Sequence, residues 1–217
     1  MIDRRGGDAA LLIIDMLNDL EFDGGERLQE RALAAARVIT DLKTQAKQAG
    51  LPVIYVNDNR KAWHDDRASV VAHASREGTR GAAMAQMLAP DERDYFVIKP
   101  RLSGFYATNL LVLLPELGVT RLVLTGIAAD LCVLFTAADA HMREYDLWVP
   151  EDAVAGEDDA RTRWALDLMR DGMSADTRPS TRLSLTRWLA GGADNRARTP
   201  PWAADDDGTV HPHVDPR

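Results

Sequence analysis

A carboxylate, an amine and a thiol each stand directly after an apolar run in this sequence. Asp15 follows "ALLII", Lys99 ends "DYFVIK", and Cys132, the one cysteine of 217 residues, follows "RLVLTGIAADL". A cysteine can attack a carbonyl carbon, and a carboxylate can take the thiol proton and deliver it to a leaving amine. An ammonium can stabilise both anions. Together, the three residue types indicate nucleophilic hydrolysis at a carbonyl group.

Each of these residues also has a purely structural interpretation. Cys132 could be a buried apolar side chain, as free cysteines often are. Asp15 could cap a helix or hold a loop, and Lys99 could lie at the surface with its stem along the strand. The catalytic interpretation is favoured only if the fold brings all three residues to one place.

The elements that must position them follow an alternating pattern. Short apolar runs, typical of strands buried on both faces of a parallel sheet, lie at 9–15, 51–57, 94–99, 121–126 and 146–151, with a weaker sixth at 174–178. Helical patterns lie at 26–50, 105–118, 131–145, 158–172 and 180–190. This alternation predicts an α/β fold, with an open sheet between two layers of helices.

The carboxyl ends of the strands form the edge where ligands bind in open α/β sheets. Asp15, Lys99 and Cys132 follow the first, third and fourth predicted strands, so all three should reach this edge. Asp130 could cap the next helix and place Cys132 in its first turn. A helix N-terminus favours thiolate over thiol, and its free N–H groups could stabilise an oxyanion.

Composition limits the partners. The net charge of −8 and the pI of about 5.1 argue against nucleic acid, which needs a basic surface. No apolar run is long enough to span a membrane, and the first residues lack a signal-peptide pattern. A single cysteine excludes an internal disulfide. We therefore predict a cytoplasmic protein that acts on a small molecule, with no nucleic-acid or membrane partner.

Motifs for cofactors and metals are absent from the sequence. Neither GxGxxG nor GxxxxGK[ST] occurs. His64, His73 and His141 form no compact ligand motif, so solvated histidines are favoured over a metal site. A dyad of Cys132 with His141 is also disfavoured, because nine helical residues span about 13 Å. We predict no cofactor and no metal.

The last part of the chain differs from the rest. Residues 191–217 are rich in Gly, Pro and Asp and have no periodicity. This pattern is typical of a flexible tail, with the alternative of an arm that docks Trp202 and Val210 on the body or on a neighbouring subunit. We predict one domain at 1–190 and a tail at 191–217.

Three motifs make the sequence resemble the isochorismatase-like cysteine hydrolases, which include nicotinamidases and N-carbamoylsarcosine amidases. In the family's order they are "LLIIDMLNDL" (11–20), "VIKPRLSGFYATNL" (97–110) and "LVLTGIAADLCVLFTAADAHMREYDLWVPEDAVA" (122–155). The resemblance implies six mostly parallel strands in the order 3-2-1-4-5-6, with helices on both faces. It also implies a catalytic triad of Asp15, Lys99 and Cys132, and it makes a homo-oligomer the expectation.

The implied reaction is cleavage of a C–N bond. Cys132 would attack an amide or carbamoyl carbonyl, release ammonia or an amine, and leave a thioester that water hydrolyses. The family usually has a cis peptide before this cysteine, which falls here between Ile127 and Ala128. The implied oxyanion donors are the N–H groups of Ala128 and Cys132.

The sequence departs from the family pattern at two places. Ala129 stands where the family often has Thr. Nicotinamidases carry an Asp-x-His zinc motif after the second strand, and this sequence has Asp58 but Arg60 in place of the His. This difference disfavours a bound metal and a nicotinamide substrate. The isochorismatases of siderophore pathways lack the nucleophile, so Cys132 favours amide over vinyl-ether cleavage.

The substrate pocket and two alternatives stay open. Aromatic and polar residues near the predicted edge could line the pocket, although each could equally be core: Phe22, Asn57, Trp63, Phe105 and Tyr106. A non-catalytic binding or scaffold protein could keep the same fold. A redox-sensing thiol is a further alternative, although the chain has no second cysteine to resolve a sulfenic acid.

Overall fold

Strands and helices alternate along the chain. The computed structural model describes residues 8–59 and 62–191. The strands are β1 (Ala9–Ile14), β2 (Val53–Asp58), β3 (Tyr95–Lys99), β4 (Arg121–Ile127), β5 (Asp146–Trp148) and β6 (Val154–Ala155). The helices are α1 (Gly25–Gln48), α2 (Arg67–Ala74), α3 (Ala82–Met87), α4 (Leu110–Glu116), α5 (Leu134–His141), α6 (Asp159–Met173) and α7 (Leu185–Ala190). A π-helical turn, Ala129–Val133, leads into α5, and a 3-10 turn, Glu151–Ala153, precedes β6.

The strands form one parallel sheet in the order β3-β2-β1-β4-β5, and β6 pairs with the end of β4. The predicted α/β class and the predicted order of the first five strands are confirmed. The segment proposed as a sixth strand, 174–178, makes a single parallel bridge between Asp176 and Trp148. It lies beside β5 as expected, but it stops there because the Asp176 carboxylate accepts the Arg178 N–H and turns the chain.

Alternate residues of β1 belong to two separate cores. Ala9, Leu11 and Ile13 pack with the buried face of α1 and with α7. Ala10, Leu12 and Ile14 pack with α4, α5 and α6. Because successive strand residues face opposite sides of a sheet, this division confirms helices on both faces.

The helices differ from the sequence pattern at four places. Helix α7 begins at Leu185, after the N-cap Ser184, rather than at residue 180. Helices α2 and α3 were not predicted, because they are short and the connection between β2 and β3 is largely polar. Helix α4 begins at Leu110 rather than 105, since the preceding residues form a hydrogen-bonded loop in which Ala107 has a φ of 52°. The helix predicted at 131–145 begins as the π-helical turn.

The sequence predicts a tail at 191–217 and no membrane-spanning segment. Apart from Gly191, the predicted tail lies outside the described residues. The domain boundary at residue 190 therefore stays a prediction. Among the described helices, none combines the length and the apolar character that a bilayer crossing would need.

Gly126 allows the carboxyl ends of β1 and β4 to touch. It is paired with Ile14 and has a φ of +116°. A Cβ atom at this position would lie 2.0 Å from the Ile14 carbonyl oxygen, which is backbone and cannot move aside alone. The residues that follow these two strands, Asp15 and the turn that carries Cys132, are close together because this contact is possible.

Replacing Gly126 should therefore destabilise the fold strongly. We expect Gly126→Ala to lower the free energy of unfolding by about 3 kcal/mol or more, because the backbone conformation alone costs about 1–3 kcal/mol for a non-glycine residue and the overlap adds to it. Gly118→Ala is the matched control: its φ is +71°, but nothing lies within 4 Å of the added Cβ. The control should lose only about 1–2 kcal/mol. Urea denaturation measures both, and equal losses would contradict the role of the Ile14 contact.

Candidate active site

The ammonium of Lys99 contacts both other residues singled out in the sequence. Its Nζ lies 2.8 Å from Asp15 Oδ2 and 3.3 Å from Cys132 Sγ. The Lys99 side chain is fully buried and that of Asp15 is 7% exposed, while Cys132 is half-buried. Three residues separated by up to 117 positions thus meet at the carboxyl edge of the sheet.

Asp15 is held in place by the backbone of β2 as well as by Lys99. Its own N–H donates to the Val56 carbonyl at 2.9 Å, and its φ of 53° turns the chain out of β1. Its Oδ1 accepts the N–H of Asp58 at 2.6 Å. One carboxylate oxygen is therefore fixed by a backbone donor, and the other faces the ammonium.

Lys99 ends β3 in register with Asp58 of β2. The Asp58 carboxylate is partly exposed and lies 3.8 Å from Lys99 Nζ. Burial alone would lower the pKa of Lys99, but the charges of Asp15, Cys132 and Asp58 together raise it above its ordinary value. The side chain is therefore a cation throughout the physiological range.

Cys132 lies in the π-helical turn rather than in an ordinary first helical turn. The N–H groups of Leu131 and Val133 both donate to the Ala128 carbonyl, at 3.1 and 3.2 Å. The prediction that Asp130 caps this helix is wrong: its carboxylate pairs with Arg161 of α6 at 2.5 Å, and no side chain caps the turn. A charged partner on another helix has taken the place of the local cap.

The expectation of a low thiol pKa is also wrong. Burial raises the pKa of Cys132 to about 12, the charge of Asp15 adds to this, and Lys99 opposes it. Burial likewise raises the pKa of Asp15 above its ordinary value, although Lys99 opposes that shift too. Burial and the neighbouring Asp15 thus oppose ionisation of the thiol, and Lys99 is the group that favours it.

Comparison with known proteins identifies the family. The family described as Isochorismatase domain matches residues 9–178. The chain belongs to the isochorismatase family. The uncharacterized isochorismatase family protein YaaI of Bacillus subtilis (strain 168) is 41% identical over 169 residues, which cover 78% of this chain and 92% of that protein. The membership that the three motifs indicated is confirmed.

Two further relatives of this isochorismatase-family hydrolase carry the names of amidases. Ureidoacrylate amidohydrolase RutB of Yersinia enterocolitica is 31% identical over 180 residues, covering 70% of this chain and 78% of that protein. The crystal structure of N-carbamoylsarcosine amidase from Thermoplasma acidophilum matches with a TM-score of 0.63 and 30% identity. It covers 82% of this chain and 99% of that chain.

Other features expected of the family can be located in the structure. The peptide bond between Ile127 and Ala128 is cis, as the resemblance implied. Arg60 lies outside the described residues. Within the described part of the chain, no group of three or more His, Cys, Asp or Glu side chains is arranged to hold a metal ion.

Two of the five predicted pocket residues have structural roles. Asn57 is buried, and its side-chain amide donates to the Leu17 carbonyl at 2.8 Å, so it fixes the loop after β1. Phe105 is 1% exposed and packs against Tyr145 in the core. The sequence does not show these contacts, and a part for either residue in a substrate pocket stays a prediction.

The other three predicted pocket residues are exposed. Phe22 is 41%, Trp63 74% and Tyr106 58% accessible. Their surfaces are available to a ligand, and their part in a substrate pocket stays a prediction.

Two polar side chains hold the loop after β1. Asn18 and Asp19 accept the N–H groups of Leu20 and Glu21 through their side chains. Asp19 also contacts His73 Nε2 at 2.6 Å. His73 is thus paired with a carboxylate instead of being solvated.

Sequence reasoning missed the contribution of two groups around the triad. Asp58 was noted only in the comparison with the Asp-x-His zinc motif, whereas its N–H holds Asp15 and its carboxylate faces Lys99. Arg161 of α6 was not noted at all. The register of β1 with β2 could have suggested the first contact, but no local signal predicts the second.

The effect of the Asp15 charge on the thiol pKa predicts how fast Cys132 is alkylated when Asp15 is neutralised. Asp15→Asn keeps the shape of the side chain and removes the charge that raises the pKa of Cys132. The pKa should fall, so alkylation by iodoacetamide at neutral pH should become about tenfold faster or more. Lys99→Gln should have the opposite effect, because it removes the cation that stabilises the thiolate.

Mass spectrometry reports this reaction cleanly, because the chain has one cysteine. An Asp15→Asn variant that is alkylated no faster than the original chain would show that the carboxylate does not control the thiol.

Proposed function

We propose that this chain is a cysteine-dependent amidohydrolase that cleaves the C–N bond of a small amide or carbamoyl compound through a thioester. The observation that carries this proposal is the contact of Lys99 Nζ with both Asp15 Oδ2 and Cys132 Sγ. The arrangement supplies a nucleophile, a base for its proton and a cation that compensates the resulting charge.

In the first half of the reaction the thiol proton passes to Asp15 as Sγ attacks the carbonyl carbon. The net charge of the site does not change in this transfer, because the anion moves from oxygen to sulfur beside the same ammonium. The carbonyl oxygen becomes an oxyanion, and the N–H groups of Ala128 and Cys132 are the proposed donors to it. The raised pKa of Asp15 suits a group that must hold a proton.

In the second half the C–N bond breaks, and Asp15 gives its proton to the leaving nitrogen. Ammonia or an amine departs, and the acyl group stays on sulfur. Asp15 then takes a proton from a water molecule, whose oxygen attacks the thioester. The C–S bond breaks, the acid product leaves, and Asp15 returns that proton to the sulfur of Cys132.

The substrate class is supported by the names of the relatives. Ureidoacrylate amidohydrolase and N-carbamoylsarcosine amidase are both named for compounds with a carbonyl carbon bonded to nitrogen. We therefore propose a ureido, carbamoyl or carboxamide substrate, a cytoplasmic location, and no cofactor. A homo-oligomer remains part of the proposal.

Simple assays distinguish amide hydrolysis from two other functions, vinyl-ether cleavage and ligand binding without turnover. Vinyl-ether cleavage would release a carbonyl compound and an alcohol without ammonia, and it would not require a thiol. A binding protein on the same fold would retain its ligand unchanged.

The deciding variant is Cys132→Ala. We expect it to reduce the release of ammonia by about a thousandfold or more, because no other group in the site can form the acyl intermediate. The assay screens ureido, carbamoyl and carboxamide compounds with the original chain, and then tests the active compound with the variant. Circular dichroism confirms that the variant is folded.

A Cys132→Ala variant that is folded and fully active would refute the proposal. Supporting evidence would come from the mass of the original chain mixed with substrate and quenched in acid, which should increase by one acyl group. The variant should show no such increase.

A further inference from the structure

The hydroxyl of Thr136 links the nucleophile's turn to the loop after β3. Thr136 lies in α5 and is fully buried. Its Oγ1 donates to the Cys132 carbonyl at 2.6 Å and accepts the Gly104 N–H at 2.9 Å. A threonine hydroxyl has one donor and two acceptor positions, so a single atom can hold both backbone groups at once.

The loop at the other end of this link is packed tightly. A Cβ atom on Gly104 would lie 2.9 Å from Val56 Cγ1 and 3.4 Å from Thr136 Cγ2. The Gly104 carbonyl accepts the Thr108 hydroxyl at 2.6 Å. Both polar backbone groups of Gly104 are therefore bound by threonine hydroxyls, one from α5 and one from the loop itself.

This loop is a direct continuation of the strand that carries Lys99. Gly104 lies five positions after Lys99, and Thr136 lies four positions after Cys132. The bond through Thr136 thus closes a short ring whose other contact is the one between Lys99 Nζ and Cys132 Sγ. A shift of the π-helical turn and α5 away from the loop after β3 would lengthen both the bond from the Gly104 N–H to Thr136 Oγ1 and the contact between Lys99 Nζ and Cys132 Sγ.

We infer that Thr136 is a positioning residue for the proposed reaction. By holding the Cys132 carbonyl to the Gly104 N–H, it keeps the sulfur in contact with Lys99. This inference rests on the proposed function only in so far as Cys132 is the nucleophile. The signal in the sequence is the spacing of four residues on a helix, which places the hydroxyl over the preceding turn.

The test compares Thr136→Val with Thr136→Ser. Valine keeps the shape and removes the hydroxyl, whereas serine keeps the hydroxyl. We expect Thr136→Val to reduce kcat about tenfold to a hundredfold with little change in KM, because the nucleophile is misplaced while the substrate site is intact. Its alkylation by iodoacetamide at neutral pH should also slow, since Lys99 then stabilises the thiolate less. Thr136→Ser should restore both values.

Thr108→Val is the matched control. It removes a hydroxyl from the same loop, but that hydroxyl bonds only within residues 104–110. It should lower the melting temperature without changing the alkylation rate of Cys132. A merely structural Thr136 would behave in the same way.

Equal alkylation rates and equal kcat in the Thr136→Val and Thr136→Ser variants would overturn the inference, as would a serine variant that restores neither. If Thr136→Val does not fold, Thr136→Ala takes its place in the same comparison. Alkylation is read without any substrate. A fully active Cys132→Ala variant would therefore refute the proposed function while the rate comparison still decided the role of Thr136.

Discussion

The structure depends on a buried ammonium. Lys99 is inaccessible to solvent, and a charge in that position is costly unless anionic groups and hydrogen-bond acceptors replace its water. Asp15 and Cys132 provide those partners, with Asp58 further away. Three separate strand ends must therefore stay together, and Gly126 lets two of them approach without a side chain between. Removing one partner would leave the others with an uncompensated charge.

The same constraint determines the chemistry of the site. One cation beside two acidic groups favours one negative charge, and that charge can lie on oxygen or on sulfur at nearly constant net charge. Perturbed groups of this kind are concentrated at functional sites, which agrees with the catalytic interpretation of the three residues.

The sequence predicted what depends on pattern and topology. Continuous apolar runs identified the strands, and parallel strand ends placed Asp15, Lys99 and Cys132 at one edge. It failed where distant groups decide the outcome. Asp130 was predicted to cap a helix, but it pairs with Arg161 of α6. A low thiol pKa was expected, but burial raises it. The contacts of Phe105 with Tyr145 and of Asn57 with Leu17 could not be predicted for the same reason.

The raised pKa of the Cys132 thiol, about 12, also affects its side reactions with oxidants and other electrophiles. Peroxide and most other electrophiles attack the thiolate, so a raised thiol pKa slows their reaction with Cys132. A redox-sensing thiol needs the opposite shift. In the proposed mechanism the sulfur becomes a strong nucleophile when its proton passes to Asp15, so this transfer helps to select the compounds that Cys132 attacks.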